Sequence, residues 1–211
     1  MISLRHKAAL FALGACVLFV SSCGQQSDER VAQTVAPAEV TTQPASPAEA
    51  AAATSPFVSI DCSTGEATGV EEAPEGTALG PVTVSTGASG APVITVATGA
   101  APAAQLESVD LVPGSGAAVA PGDQLTVDYC GVGLGSVSLF DSSWARGEPA
   151  TFPLDGVIAG WQQGLPGMQS GGQRLLVIPG ELAYGEAPPP GILPNETLIF
   201  LVDLQAVNGA S

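Results

Sequence analysis

The stretch Val137–Trp161, VSLFDSSWARGEPATFPLDGVIAGW, decides the reading of the chain. It opens on a β-prone run, Val137–Phe140, crosses a polar segment, Asp141-Ser142-Ser143, and returns to an apolar run at Phe152–Leu154. A short helix is expected over Val157–Leu165, with Asp155 as its N-cap and Pro166-Gly167 as its stop. Phe140 and Trp161 frame the unit, and Asp141 and Arg146 follow close behind Phe140. An acid and a base beside an aromatic pair suit a polar clamp on the rim of an apolar hollow. Taken alone they read better as a surface ion pair, which is common and weak.

The surrounding chain is strand-forming. Leu125–Cys130 alternates strictly, placing Leu125, Val127 and Tyr129 on one face and Thr126, Asp128 and Cys130 on the other. Tyr129 is therefore expected to face a core or cavity and Cys130 to point outward. Val109–Val112 and Arg174–Ile178 read as strands, and Thr197–Val207 as a last strand, apolar on both faces over Leu198–Val202. Leu182–Leu193 is a loop with Pro188-Pro189-Pro190 at its tip. Residues 105–211 thus form an α+β domain, an antiparallel sheet curled around one short helix.

Upstream, Val82–Val84 and Val93–Val96 flank the turn Gly87–Gly90, so residues 81–104 are expected to be a β extension docked on the main sheet. Residues 24–80 are rich in Ala, Thr, Ser, Pro, Gln and Glu and lack sustained periodicity, the composition of a disordered tether. Residues 1–23 read as a secretory signal: Arg5 and Lys7, an apolar run Ala8–Val20 too short for a comfortable membrane span, then Val20-Ser21-Ser22-Cys23. That ending resembles a bacterial lipobox, which implies lipidation of Cys23, cleavage before it, and an extracytoplasmic protein anchored to the cell membrane.

Composition narrows the chemistry. Lys7 and His6 are the sole lysine and histidine, and both precede Cys23. The remainder keeps Arg30, Arg146 and Arg174 against twenty acids, a side-chain charge of −17. So acidic a chain is a poor partner for nucleic acid. Without His there is no Ser-His-Asp or Cys-His nucleophile and no His-based zinc site. Without Lys there is no Schiff base. No metal or cofactor is expected, and any catalysis falls to carboxylates, aromatics, hydroxyls and backbone amides. After loss of Cys16 and lipidation of Cys23, Cys62 and Cys130 remain. In an oxidising compartment they are expected to pair, two free thiols being the alternative.

Several short motifs fall in one order: Asp128-Tyr129-x-Gly131, Phe140-Asp141-Ser142-Ser143, Val157-Ile158-x-Gly160-Trp161, Gly164-x-x-x-Met168, Gly172-Gln173-Arg174, Ala183-Tyr184-Gly185 and Leu198-Ile199-Phe200. Together, over about Glu107–Val207, they resemble the FKBP-type peptidyl-prolyl isomerases. The resemblance implies a pocket walled by Tyr129, Phe140, Val157, Ile158, Tyr184 and Phe200, floored by Trp161, with Asp141 at the rim oriented by Arg146. It implies substrate carbonyls held by the Ile158 N–H and the Tyr184 hydroxyl. One of Gly191, Ile192 and Leu193 meets the substrate, and Ile192 is assigned to it. Phe152 is expected to fill the core. The partners implied are proline-containing polypeptides and a rapamycin-type macrolide inhibitor, on a monomeric chain. Ala150 stands where the family often has a pocket aromatic, and Pro188–Pro190 replaces the family's loop tip, so a non-catalytic binding or chaperone module is the competing reading.

Overall fold

Sequence periodicity names strands only from Val82 onward, yet the computed structural model holds eleven strands among its described residues, because the chain folds well upstream of residue 81. The model describes residues 55–208. The expected signal, Cys23 and the first part of the expected tether, residues 24–54, lie outside the described residues.

The N-terminal part is one antiparallel sheet of five strands, β1 (Phe57–Asp61), β2 (Ala67–Val70), β3 (Thr77–Leu79), β4 (Val82–Thr86) and β5 (Pro92–Ala97), in the order β2-β1-β5-β4-β3. This corrects the tether boundary and the start of the extension. Phe57-Val58-Ser59-Ile60-Asp61 alternates with Val58 and Ile60 buried, a period-2 signal that the surrounding Ala/Ser/Thr/Pro composition hides. β1 then lies between β2 and β5, pairing Ile60 with Ile94.

The main sheet runs β6 (Glu107–Val112), β10 (Gly172–Ile178), β11 (Leu198–Asn208), β7 (Gln124–Gly133), β8 (Ser138–Ser142). β9 (Ala150–Pro153) pairs the first half of β7, and β8 its second half. Both faces of this sheet are covered. On β11, Leu198, Phe200, Val202 and Leu204 face one apolar cluster, while Ile199 and Leu201 face the other. The first cluster contains the helix α2 (Ala159–Gly164), and the second contains Val58, Ile60, Val82, Ile94 and Val96 of the N-terminal sheet.

Two sequence expectations fail here for physical reasons. Cys130 does lie on the face opposite Tyr129, but that face is covered. Cys130 is fully buried and bonded to Cys62, with Cα atoms 5.7 Å apart. The helix is shorter than Val157–Leu165. Asp155 sits in a 3-10 turn, Leu154–Gly156, and Val157 is extended, so Asp155 cannot cap. Ile158 takes the N-cap position instead, without a side-chain cap bond. Gly160 lets α2 lie close on β10, since a Cβ there would stand 2.3 Å from Ile178 Cγ2.

Candidate active site

A hollow of about 270 Å³ opens on the α2 face of the main sheet. Its base is Trp161, carried inward by the first turn of α2 and only 3% exposed. Three rings meet that indole edge to face: Tyr129 at 5.8 Å, Phe152 at 5.3 Å and Phe200 at 5.2 Å between centroids. Phe140 of β8 in turn meets Phe200 at 5.5 Å. Such edge contacts add to the burial energy of the rings and fix their tilt. Gly131 makes room for them, because a Cβ there would stand 2.6 Å from Phe140 Cζ.

The chain before α2 supplies another wall. Gly156, Val157 and Ile158 line the hollow, and Gln162 Nε2 donates to the Val157 carbonyl at 2.7 Å, holding that extended segment onto the helix. Tyr184 closes the far side from the turn after β10 and is 40% exposed.

The polar rim is built at the end of β8. Asp141 lines the hollow, and the four-residue helix α1 (Ser143–Arg146) begins two residues later. Ser142 caps α1 by accepting from the Ala145 N–H, and Gly147 ends it in the left-handed conformation. This short turn brings Arg146 back over Asp141, to which it donates from Nη1. Arg146 Nη2 donates to the Tyr129 hydroxyl at 3.0 Å, and that hydroxyl donates to the other Asp141 oxygen. The three side chains thus form a closed ring of hydrogen bonds, with the guanidinium 5.4 Å above the Tyr129 ring. Burial, then the hydrogen bond to Asp141, pushes the Tyr129 phenol above its ordinary value. Burial and the Asp141 charge do the same to Tyr184. Arg146 is held more firmly protonated, chiefly by its bond to Tyr129.

Of the residues singled out in the sequence, Tyr129, Phe140, Asp141, Val157, Ile158, Trp161, Tyr184 and Phe200 all border this one hollow. Arg146 acts on it through Asp141 and Tyr129. Ile192 does not border it. The loop turns at Pro189–Ile192, where the Ile192 N–H donates to the Pro189 carbonyl, and the Ile192 side chain packs half-buried on the apolar cluster. Phe152 packs on the core cluster as expected and also walls the hollow. β9 pairs it with Leu125, on the face that also carries Tyr129. Its alternation with Thr151 was visible, but its partner strand was not. Gly156 had no sequence signal, since it borders the hollow by backbone alone.

The α2 side of the main sheet thus carries an open, ring-walled hollow with one carboxylate and two phenols, braced at its rim by an arginine. The model of the family described as FKBP-type peptidyl-prolyl cis-trans isomerase matches residues 116–205. A probable FK506-binding protein of Corynebacterium glutamicum is 46% identical over 113 residues, covering 54% of this chain and 95% of that protein. The FKBP-type peptidyl-prolyl cis-trans isomerase FkpA of Escherichia coli K12 is 50% identical over 97 residues, 46% of this chain but 36% of that longer protein. The crystal structure of FkpA from Escherichia coli superposes with a TM-score of 0.48 at 41% identity, covering 61% of this chain and 53% of that one. The chain belongs to the FKBP-type peptidyl-prolyl cis-trans isomerase family. Its activity is the cis–trans isomerisation of peptidyl-prolyl bonds.

Proposed function

We propose that the protein speeds Xaa–Pro isomerisation in exported polypeptides by binding the twisted amide in the hollow around Trp161, as a lipid-anchored enzyme outside the cytoplasm. The observation that carries the reaction is the hollow itself, six aromatic side chains with a single carboxylate at the rim. Amide resonance gives the Xaa–Pro bond a barrier of roughly 18–20 kcal/mol, and no bond has to be made or broken to lower it. The twisted amide has less charge separation than the planar one, so a dry aromatic site favours it. The proline ring would sit over Trp161. The Ile158 N–H and the Tyr184 hydroxyl would take the flanking carbonyls and hold them in a turn, binding the transition state better than either ground state. This chemistry needs neither histidine nor lysine, in keeping with the composition. A macrolide that mimics a prolyl peptide would compete for the same hollow.

The test is a prolyl-peptide exchange assay on the chain from Cys23 onward. The wild type should accelerate exchange, with an apolar residue preferred before proline. Phe140→Ala should slow it while the sheet stays folded, because one wall is lost and water enters. A folded wild type with no acceleration over buffer would leave the binding-module reading in its place.

A further inference from the structure

We propose that Cys62, which lies outside the matched family segment, is a positioning residue for the polar rim of the hollow, holding Tyr129 and Asp141 in register from behind. Tyr129 and Cys130 are consecutive on β7, and Asp141 and Ser142 are consecutive on β8. Successive strand residues point to opposite faces. Each rim residue is therefore backed by a neighbour on the face covered by the N-terminal sheet. Cys130 and Ser142 are themselves partners across the β7–β8 ladder.

Both backing residues are held by the same residue. The Cys62 sulfur is bonded to Cys130, and the Cys62 carbonyl accepts from Ser142 Oγ at 2.6 Å. Cys62 and Cys130 are fully buried and Ser142 is 3% exposed, so no water competes for these bonds. Cys62 is fixed in turn by its N–H, which donates to the Pro92 carbonyl at 3.0 Å. Ser142 also caps α1, whose last residue is Arg146. Sliding β8 along β7 would separate the Tyr129 hydroxyl from the Asp141 carboxylate. The same slide would strain both attachments to Cys62.

The rim needs such support. The Asp141 and Arg146 side chains are each 42% exposed, and an ion pair that open to solvent contributes little order of its own. Its geometry must come from the backbone beneath it, and that backbone is gripped from the other face. This proposal rests on the isomerase reading for its rate measurement alone.

The experiment uses the chain from Cys23 onward and two readouts. The chain has two tyrosines, Tyr129 and Tyr184. In a Tyr184→Phe background, tyrosinate absorbance against pH therefore reports Tyr129 alone. Exchange of a prolyl peptide, measured with Tyr184 intact, gives kcat/KM. Replacing both thiols, Cys62→Ala with Cys130→Ala, should bring the Tyr129 titration down toward the ordinary phenol range. It should also lower kcat/KM by about twofold or more, the low end of the coupling within one hydrogen-bonded network. Ser142→Ala, which keeps the disulfide, should move both readouts the same way, and Ser142→Thr should restore them. Ser142→Ala also uncaps α1, so the cysteine pair carries the assignment to Cys62; if that pair fails to fold, Cys62→Ser with Cys130→Ser, which nearly keeps the buried volume, repeats the same measurement. Folded variants that keep the wild-type Tyr129 titration overturn the proposal. An inactive wild type would overturn the isomerase reading instead, and the titration would still report on the rim.

Discussion

Tyr184 and Tyr129 carry the same hydroxyl to the same hollow, but they cannot have the same task. The Tyr129 hydroxyl is engaged by Asp141 and Arg146, whereas Tyr184 is 40% exposed at the mouth. Tyr184 is thus the phenol free to meet substrate. Tyr184→Phe should remove one hydrogen bond worth about 0.5–1.5 kcal/mol, a loss of roughly 2–13-fold in kcat/KM without loss of fold. Both phenols are pushed up from their ordinary value by burial first and Asp141 second. They stay protonated through neutrality, so the rate should be flat from mildly acidic to neutral pH, and a sharp step there would show a proton-transfer step. At this scale the sequence was informative wherever a residue type was scarce. Tyr129, Phe140, Trp161, Tyr184 and Phe200 could be picked out because aromatics are few. The wall position of Phe152 and the place of Ile192 away from the hollow depend on a strand pairing and on a loop turn, neither of which is a property of the residue itself.

Strands β7 and β11 show how one element serves two neighbours. Each presents alternate residues to the hollow side and to the N-terminal sheet, and that double duty explains why Leu198–Val202 is apolar throughout. The reading of a two-faced strand was legible; what covers the second face was not, and Cys130 was misplaced for that reason. The helix end was misjudged because Asp155 looks like a cap in sequence, while the chain takes a 3-10 turn there first. The same pair of strands carries a conflict. Asp203 of β11 sits directly opposite Asp128 of β7. Burial, and then the Asp128 charge, raises the Asp203 carboxyl above its usual range. A raised folded value means a contribution fully present below the unfolded value and lost as pH rises through the folded one, so at neutral pH ionised Asp203 opposes folding. Asp203→Asn should raise stability at neutral pH by about 0.2–1 kcal/mol, the size of a cross-strand charge effect. In urea unfolding the gain should shrink as the pH falls through the raised folded value, because the wild-type carboxyl then protonates and its conflict with Asp128 is relieved. A gain that grows on acidification would contradict this account.

The whole molecule joins a family domain to a second sheet that the family model does not reach, since the match begins at residue 116. Upstream of both lies the Val20-Ser21-Ser22-Cys23 box. If that box anchors the enzyme, Cys23→Ser should shift it from the membrane fraction to the soluble one or stop its maturation, and an unchanged membrane fraction would refute the anchor. The second sheet is a matter of packing. Residue 81 looks like a boundary in the sequence, but a cut there removes β1, β2, β3 and Cys62. It would strip Val58, Ile60 and Cys62 from the cover over Cys130, Val132, Leu175, Val177, Ile199 and Leu201, leaving only β4 and β5 on that face. Each large aliphatic returned to water costs about 1.5–3 kcal/mol. Loss of a disulfide joining residues 68 apart costs roughly 4 kcal/mol more in the chain-entropy model. Terms of that size match the whole stability of an ordinary domain. The chain cut at Pro81 should therefore aggregate or melt far below the parent, whereas a chain starting at Ser55 keeps every described strand and should match the parent in melting temperature and in prolyl-exchange rate. Thermal unfolding of the two truncations side by side decides the point. A Pro81 fragment as stable as the Ser55 fragment would mean that β1, β2, β3 and the disulfide are dispensable, and that β4 and β5 alone cover that apolar face well enough.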